Sequence, residues 1–279
     1  MYVLFDIGGT KTRIAISDDL TTFRDTTKFD TPKQYEEGID AIAAAVRRAS
    51  GQTPLAAVAG GIRRLLPDHS GIDHDTALPD WNGKSFVDDL AQALGAPVYV
   101  ENDAAVAGLG EAHFGAGKGY DIVAYHTVST GVGGARIDHG VIDAESIGFE
   151  PGHQIIDIDH TLCPHCKSGK LEDMVSGTAV ERRFGKKPYE IPQEDPLWDE
   201  LAHWLAHGLK NTIVYWSPDA VVLGGSMIVG DPRILREDII RHTTTLLGDL
   251  MPLPVLLDAT LKDEGGLYGA LMLLRQRVE

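Results

Sequence analysis

Short apolar and polar blocks alternate along this chain, and their period changes from two to about 3.6 and back. The segments YVLFDI, TRIAIS, LAAVAG and PVYVEN are apolar and bounded by turn residues, which predicts β-strands. TPKQYEEGIDAIAAAVRRAS carries acids early and arginines late, which predicts a helix that Thr31 caps and Pro32 begins. KSFVDDLAQALG predicts a second helix, closed by Gly95 at the position after its last turn.

The same alternation resumes after residue 120. Strands are predicted at DIVAYHTVS, GARIDHGVI and AVVLGG, with a long helix at LWDELAHWLAHGLKNTIVYW. Interleaved strands and helices indicate an α/β fold. We predict two lobes, residues 1–116 and 117–279, with the boundary near the glycine-rich GAGKGY, and a last helix at about 264–276 that packs back on the first lobe.

Composition narrows the class of protein. A length of 279 residues suits two domains or one large one, and 43% hydrophobic with 24% charged residues is ordinary for a globular protein. No apolar run approaches the roughly 20 residues of a membrane helix, no signal-peptide pattern opens the sequence, and the cysteines of CPHC form no disulfide framework, so we expect a cytoplasmic protein. The formal charge of −16 disfavours nucleic acids and anionic membranes as partners. An anionic substrate such as a nucleotide would need a metal ion and local N–H donors to offset that field.

Two glycine-rich turns are the strongest chemical signal. FDIGGTKTRIAI and HTVSTGVGGARI both read as strand, turn, strand, and exposed N–H groups in such turns bind anions. The small and oxygen-bearing residues at the tips are Asp6, Gly8, Gly9 and Thr10 in the first, and Thr130, Gly131, Gly133 and Gly134 in the second. A tight hairpin would explain one such turn, whereas two in corresponding positions predict duplicated lobes holding a phosphate chain. Asp6 would repel phosphate, so we expect it to hold Mg²⁺ against the nucleotide.

Two further sites extend this interpretation. Gly224 and Gly225 end the strand in DAVVLGGSM, where small residues suit an adenine or ribose, although a plain strand-to-helix turn would look the same. Asp103 follows the strand of PVYVEN, with Asn102 in a helix-capping position. Such residues are routine at helix starts, but phosphoryl transfer needs a carboxylate to accept the proton of the attacking hydroxyl, and Asp103 is the candidate.

Carboxylates and amides suited to a polyol occur in three more stretches. Asn82 lies in LPDWNGKSF, Glu150 and His153 flank a Pro-Gly turn in GFEPGHQI, and Glu172 lies in GKLEDMVSG. Taken alone, each of these residues is more often part of a solvated turn than a sugar ligand.

Together the motifs resemble the ROK family of sugar kinases, in the actin-like, ribonuclease-H-like ATPase superfamily. The resemblance runs in order from residue 2 to about 274: DIGGTKTRIAI, LPDWNG, ENDAAVAGLGE, STGVGGARI, EPGH, VVLGGS and DEGGLYGALMLL. It implies two duplicated lobes around a cleft, a homodimer, and transfer of the ATP γ-phosphoryl to a hexose or N-acylhexosamine hydroxyl, most often at carbon 6. By resemblance Asp103 is the catalytic base. The implied phosphate and nucleotide contacts add Lys11 to the glycine sites, and the implied sugar contacts are Asn82, Asn102, Glu150, His153 and Glu172.

The resemblance leaves the acceptor open. Glucose is the default, with fructose, N-acetylglucosamine and N-acetylmannosamine as alternatives. A repressor of the same family would need a DNA-binding segment before the first strand, and a non-catalytic sensor would be expected to lose Asp6 or Asp103, so a kinase is favoured. The loop VAGGIRRLLPD lacks the family's usual Pro-Gly and carries Arg63 and Arg64, which predicts an altered sugar pocket.

The last departure concerns zinc. Many family members hold structural zinc through the histidine of EPGH and three cysteines, but here Lys170 stands at the third cysteine. Cys163 and Cys166 form a C-x-x-C pair whose spacing suits tetrahedral zinc. The resemblance and this spacing predict one structural zinc on Cys163, Cys166, His153 and either His165 or His160; a redox pair and two idle thiols are the alternatives.

Overall fold

The structure is a computed structural model that describes residues 1–144, 148–161, 163, 166 and 168–278. Its strands are β1 (Tyr2–Ile7), β2 (Lys11–Ser17), β3 (Arg24–Asp30), β4 (Ala57–Ile62), β5 (Val98–Asn102), β6 (Ile122–Val128), β7 (Val132–Asp138), β8 (Val141–Ile142), β9 (Ala220–Gly224) and β10 (Val255–Asp258). Its α-helices are α1 (Tyr35–Ser50), α2 (Phe86–Leu94), α3 (Asp103–Phe114), α4 (Leu171–Val175), α5 (Gly177–Phe184), α6 (Leu197–Trp216), α7 (Ser226–Val229), α8 (Arg236–Leu247) and α9 (Gly265–Val278).

The chain divides into two compact units. Unit 1 comprises Met1–Phe114, Ala144–Gly148 and Asp263–Glu279, and unit 2 comprises Gly115–Asp143 and Phe149–Lys262. Unit 1 contains a five-stranded sheet in the order β3-β2-β1-β4-β5, in which β1, β4 and β5 are parallel. All six residues of β4 are buried, as expected for a central parallel strand covered on both faces.

Unit 2 repeats this arrangement. Its five-stranded sheet has the order β10-β9-β6-β7-β8, with an antiparallel β6-β7 hairpin and parallel β6, β9 and β10. Written from the other edge, this is the same order as in unit 1: a hairpin at one side and two crossover strands at the other. The α/β fold class with duplicated lobes is therefore confirmed.

Helices α3 and α9 cross at very close range inside unit 1. A Cβ atom on Gly269 of α9 would lie only 1.7 Å from the carbonyl oxygen of Val106 in α3. Only a residue without a side chain permits this approach, which explains the glycine at position 269. Because Asp103 is the first residue of α3, this contact fixes the helix that carries the candidate base.

The start of α1 corrects one prediction. Thr31 and Pro32 do not begin the helix, which starts at Tyr35, and Asp80 accepts a hydrogen bond from the Tyr35 N–H at 2.8 Å. Thr31 is instead buried against the first glycine turn, donating its hydroxyl to the Gly8 carbonyl at 2.8 Å. Helix α2 ends as predicted, with Gly95 in the left-handed conformation.

No helix in the described ranges is long and apolar enough to cross a membrane.

Candidate active site

Three strand ends meet at one edge of the unit 1 sheet. In β4, Ile62 pairs with Ile7 of β1 on one side and with Asn102 of β5 on the other. Because parallel strands end at the same edge, the next residues along each strand are neighbours there. They open the first glycine turn, the loop that begins at Arg63, and the helix that begins at Asp103. The register thus brings a phosphate-type turn and the candidate base to one place.

The first glycine turn spans the three residues between β1 and β2. Its Gly8 N–H donates to the Lys11 carbonyl at 2.9 Å, which closes the turn. The N–H groups of Gly9 and Thr10 donate to no residue that the structure describes. Two consecutive unused N–H groups form the kind of concavity that binds phosphate oxygens. The Lys11 side chain points elsewhere and pairs with Asp30.

Asp6, at the end of β1, carries an unfavourable negative charge. Burial and repulsion from Asp103 raise the pKa of Asp6 to about 6, although Arg13 opposes this rise from 3.2 Å. Arg13 is itself shared with Asp263, at 2.8 Å. A carboxylate that remains electrostatically unsatisfied fits an oxygen-preferring divalent cation such as Mg²⁺, which usually takes one or two carboxylates and completes its shell with phosphates and water.

Asp103 and Asn102 occupy the start of α3. The Asn102 carbonyl oxygen Oδ1 accepts hydrogen bonds from the N–H groups of Ala104 and Ala105 at 3.0 and 3.3 Å, so its side chain caps the helix. Asp103 lies in the first turn, where the helix dipole favours the ionised carboxylate that a general base requires. A Cβ on Gly61 would lie 2.9 Å from the Asp103 Cα, so the glycine lets β4 pass directly beside the base.

Asn82, predicted to contact sugar, is engaged within its own loop. Its Oδ1 accepts the Asp75 N–H at 2.9 Å and its Nδ2 donates to the Asp75 carbonyl at 3.1 Å. Asp75 is buried and binds the guanidinium of Arg63. These contacts make Asn82 and Asp75 the organisers of the loop between β4 and α2.

The second glycine turn lies in unit 2 and is shorter than predicted. Its tip is Ser129–Gly131, closed by the Ser129 N–H donating to the Gly131 carbonyl at 2.8 Å. The prediction that Gly133 and Gly134 lie at the tip is wrong, because both are paired with β6 inside strand β7. The N–H groups of Thr130 and Gly131 donate to no described residue, which repeats the pattern of the first turn.

Glu172, another predicted sugar contact, lies against this second turn. Its Oε2 accepts the Val132 N–H at 2.8 Å, and a Cβ on Gly131 would lie 2.5 Å from the same oxygen. The Val132 N–H, next to the turn, is therefore already hydrogen-bonded to the Glu172 carboxylate.

A cavity of about 320 Å³ in unit 2 adjoins the second turn. It extends from Thr130 to the segment after β9, where Gly224 ends the strand and Gly225 precedes α7. The lining comprises Ser129, Thr130, Gly177, Thr178, Glu181, Lys187, Pro188, Tyr189, Ser226, Met227, Gly230, Asp231 and Pro232. Its size, and its continuity from a phosphate-type turn to the third glycine site, suit a nucleoside.

Around the EPGH turn, His153 and Glu150 are the predicted residues. His153 belongs to a short 3-10 helix, Pro151–His153, and its Nδ1 lies 3.4 Å from the Lys170 Nζ. Glu150 precedes that helix and is exposed.

The zinc prediction is not supported. Cys163 and Cys166 are joined by a disulfide, and oxidised sulfurs cannot provide the two thiolates that zinc requires. His160 uses its Nδ1 to bond the Cys166 carbonyl at 2.9 Å, and His165 lies outside the described residues. Within the described part of the chain, no group of three or more His, Cys, Asp or Glu side chains is arranged to hold a metal.

Three residues of the site were missed by the sequence interpretation: Arg13, Asp75 and Asp263. All three act through ion pairs: Arg13 with Asp263, and Asp75 with Arg63. The motif DEGGLYGA was noted, but nothing local indicates that its first residue faces Arg13. Such pairs become visible only once the sheet register is known.

Known proteins share this sequence pattern and this fold. The sequence model of the ROK family matches residues 2–277. The glucokinase of Streptomyces coelicolor is 28% identical over 97% of this chain and 96% of its own length, and the fructokinase of Streptococcus mutans is 27% identical over 91% and 88%. The crystal structure of a ROK family glucokinase from Streptomyces griseus, in complex with glucose and AMPPNP, is 30% identical with a TM-score of 0.80 over 99% of both chains. The resemblance drawn from the motifs is confirmed.

Proposed function

This chain belongs to the ROK family and is an ATP-dependent sugar phosphotransferase, and we propose that its acceptor is a hexose, with the 6-hydroxyl of glucose as the first candidate. The observation that carries the proposal is the unit 1 sheet edge. There the ionisable Asp103 stands beside a turn with two unused N–H groups and beside Asp6, whose buried negative charge a bound cation would offset. A base, a phosphate turn and a cation site are the elements that phosphoryl transfer requires.

In the proposed reaction, the acceptor oxygen forms a bond to the γ-phosphorus while the bond to the β,γ-bridging oxygen breaks. The acceptor proton passes to Asp103, and ADP leaves with the bonding electron pair. Each glycine turn by itself offers two N–H groups to phosphate oxygens: Gly9 and Thr10 in unit 1, and Thr130 and Gly131 in unit 2. A magnesium ion bound with ATP would be held by Asp6 and would offset phosphate charge.

Sequence identities to the relatives do not decide which sugar is the acceptor, so the choice of glucose is a proposal. A relative named glucokinase and one named fructokinase match at 28% and 27%. Glucose is preferred here because the chain keeps the EPGH motif and spans nearly the whole length of the Streptomyces coelicolor enzyme. We also propose a homodimer from the family resemblance, which light scattering on the purified protein will test.

The experiment is an ATP-to-ADP coupled assay with glucose, mannose, fructose, N-acetylglucosamine and N-acetylmannosamine. Asp103→Asn protein, purified identically, is the matched control for contaminating host kinases. We expect glucose to give the highest kcat/KM and phosphorus NMR to identify a 6-phosphate. A tenfold or greater preference for another sugar would reassign the acceptor, and sugar-independent ATP consumption equal in both proteins would reject the kinase.

A further inference from the structure

The reaction above gives no role to the guanidinium of Arg63, which lies at the unit 1 sheet edge. Arg63 directly follows β4, whose last residue, Ile62, pairs with both Ile7 and Asn102. It therefore leaves the sheet between the first glycine turn and Asp103. Its side chain reaches towards the turn, because Nη1 lies 2.9 Å from the position that a Cβ on Gly9 would occupy.

The geometry of this side chain is fixed from behind. Arg63 binds the carboxylate of Asp75 through Nε. Asp75 is 2% exposed, and its other oxygen accepts the N–H groups of Ala77 and Leu78 at 2.6 and 3.0 Å. These hydrogen bonds hold the Asp75 carboxylate in place. The carboxylate in turn orients the Arg63 guanidinium, as a carboxylate hydrogen-bonded to a metal-binding histidine orients that ring.

The terminal nitrogens remain available. Neither Nη1 nor Nη2 of Arg63 donates a hydrogen bond to any residue in the described ranges, and a third of the side chain is exposed. Both nitrogens of a guanidinium carry two donors in a planar fork that matches the oxygens of a phosphoryl group. Neutralisation of Asp75 alone does not explain why the Arg63 guanidinium also extends to the first glycine turn.

Lys33 strengthens the positive character of the same place. Its Nζ donates to the Gly9 carbonyl at 2.7 Å and to the Ala77 carbonyl at 3.0 Å, and it forms no ion pair with a described carboxylate. Two cationic groups thus surround Gly9, next to the unused N–H groups of the turn.

The geometry points to Arg63 as a further catalytic residue, whose terminal N–H groups bind the non-bridging oxygens of the phosphoryl group during its transfer to the acceptor. Asp75 is its positioning residue. Negative charge on those oxygens is spread during transfer, and a fixed cation there stabilises the transition state. This assignment rests on the proposed function.

The test compares Arg63→Met and Arg63→Lys with Arg48→Met as the matched control. Arg48 is an exposed residue of α1 in the same unit and forms no ion pair with a described residue, so its replacement makes the same change of charge away from the site. We expect Arg63→Met to lower kcat by about 100-fold or more, the scale for losing one transition-state donor, with both KM values changed less than threefold. Arg63→Lys should recover only part of the loss, because an ammonium lacks the fork. Arg48→Met should remain within twofold of wild type.

A second measurement does not depend on turnover or on knowing the sugar. Calorimetry should show that Arg63→Met weakens the binding of MgADP with aluminium fluoride, a mimic of the transferring phosphoryl, by at least tenfold while MgADP alone changes less than threefold. Arg63→Lys keeps a cation beside Asp75 and serves where Arg63→Met does not fold. Retained kcat, a loss confined to the acceptor KM, or equal weakening of both ligands would overturn the assignment. If wild type phosphorylates no sugar, the proposed function fails separately, and the aluminium fluoride comparison still decides the role of Arg63.

Discussion

Replacing Asp6 by Asn should make the ligand-free protein more stable while impairing its activity. Burial and Asp103 move the pKa of Asp6 from its ordinary 3.8 to about 6, so the folded state holds a proton more tightly than the unfolded chain does. At about 1.36 kcal/mol per pH unit, ionising Asp6 in the folded protein costs about 3 kcal/mol. Asn is neutral and nearly isosteric, so the variant avoids this cost at pH 8.

The sign of the pH dependence follows from the raised pKa. Below pH 3.8 Asp6 is protonated in both states and resembles Asn, so the two proteins should be equally stable with respect to this residue. As pH rises from 3.8 to about 6, the unfolded chain ionises first and wild type loses stability relative to the variant. Above pH 6 the difference should reach its full value and remain constant.

Urea unfolding, followed by far-ultraviolet circular dichroism without Mg²⁺ or nucleotide, measures the difference. With m-values of about 1–3 kcal/mol/M, the midpoint of Asp6→Asn at pH 8 should lie about 1 M or more above that of wild type. Asp40→Asn is the matched control, since Asp40 is an exposed residue of α1. An Asp6→Asn protein less stable than wild type at pH 8, or a gain equal at pH 4 and pH 8, would refute the reasoning.

Four further outcomes are expected. Asp103→Asn should fold and bind sugar normally yet lose at least about 100-fold in kcat, and near-wild-type turnover in steady-state assays would remove Asp103 from the base role. Gly131→Val, whose Cβ would lie 2.5 Å from a Glu172 oxygen, should raise the KM for ATP about tenfold or more, far more than it raises the KM for sugar; an unaltered ATP KM would separate this turn from the nucleotide. Burial lowers the pKa of His126 to about 4, so the unfolded chain binds its proton first and stability should fall by about 3 kcal/mol as pH drops from 6.5 to 4; urea titrations of His126→Gln should lack that loss, and equal pH profiles would contradict it. Gly269→Ala should lower the melting temperature by several degrees, since its Cβ would lie 1.7 Å from the Val106 carbonyl, and an unchanged calorimetric midpoint would show that α3 and α9 can separate without cost.

Periodicity predicted the core strands of both sheets but missed β3 and β10. Most residues of β3 are exposed, and its sequence RDTTKFD has no apolar alternation. Strand β10 is only Val255–Asp258, too short to stand out from its surroundings. Both are edge strands, which depend on pairing with a neighbour rather than on a buried apolar face, so local patterns carry little signal for them.

The helix start at Thr31 failed for a related reason. A threonine before a proline and an acidic turn is a strong local capping signal, yet the hydroxyl of Thr31 is used by the Gly8 carbonyl 23 positions earlier in the chain. Asp80, 45 positions after Tyr35, accepts the helix N–H instead. Long-range partners override local propensity where the chain folds back on itself, and the glycine turn is such a place.

The residues of the candidate site also differ in whether local sequence or long-range contacts reveal them. Both glycine turns, Asp103 and Asn102 are marked by residue type within a few positions, although the second turn is shorter than its sequence predicts. The functions of Asn82 and Glu172 depend on which backbone groups their side chains reach, the Asp75 loop for one and the Val132 N–H for the other. Residue type alone predicts that such side chains bind polar groups, and these backbone partners become visible only in the tertiary structure.

The formal charge of −16 does not prevent this chain from binding a polyanion, because the charge is unevenly distributed. Exposed charges are screened over about 8–10 Å at physiological ionic strength, so the field at the first turn is set by the groups within that range. Arg63 and Lys33 stand at Gly9, and the carboxylate of Asp75 faces Arg63 from the buried side. Asp75 therefore orients Arg63 without covering its two terminal nitrogens. Asp6, beside the turn, favours a metal ion that binds together with the phosphates. An acidic surface around a small basic turn favours a nucleotide that carries its own Mg²⁺ over one that does not.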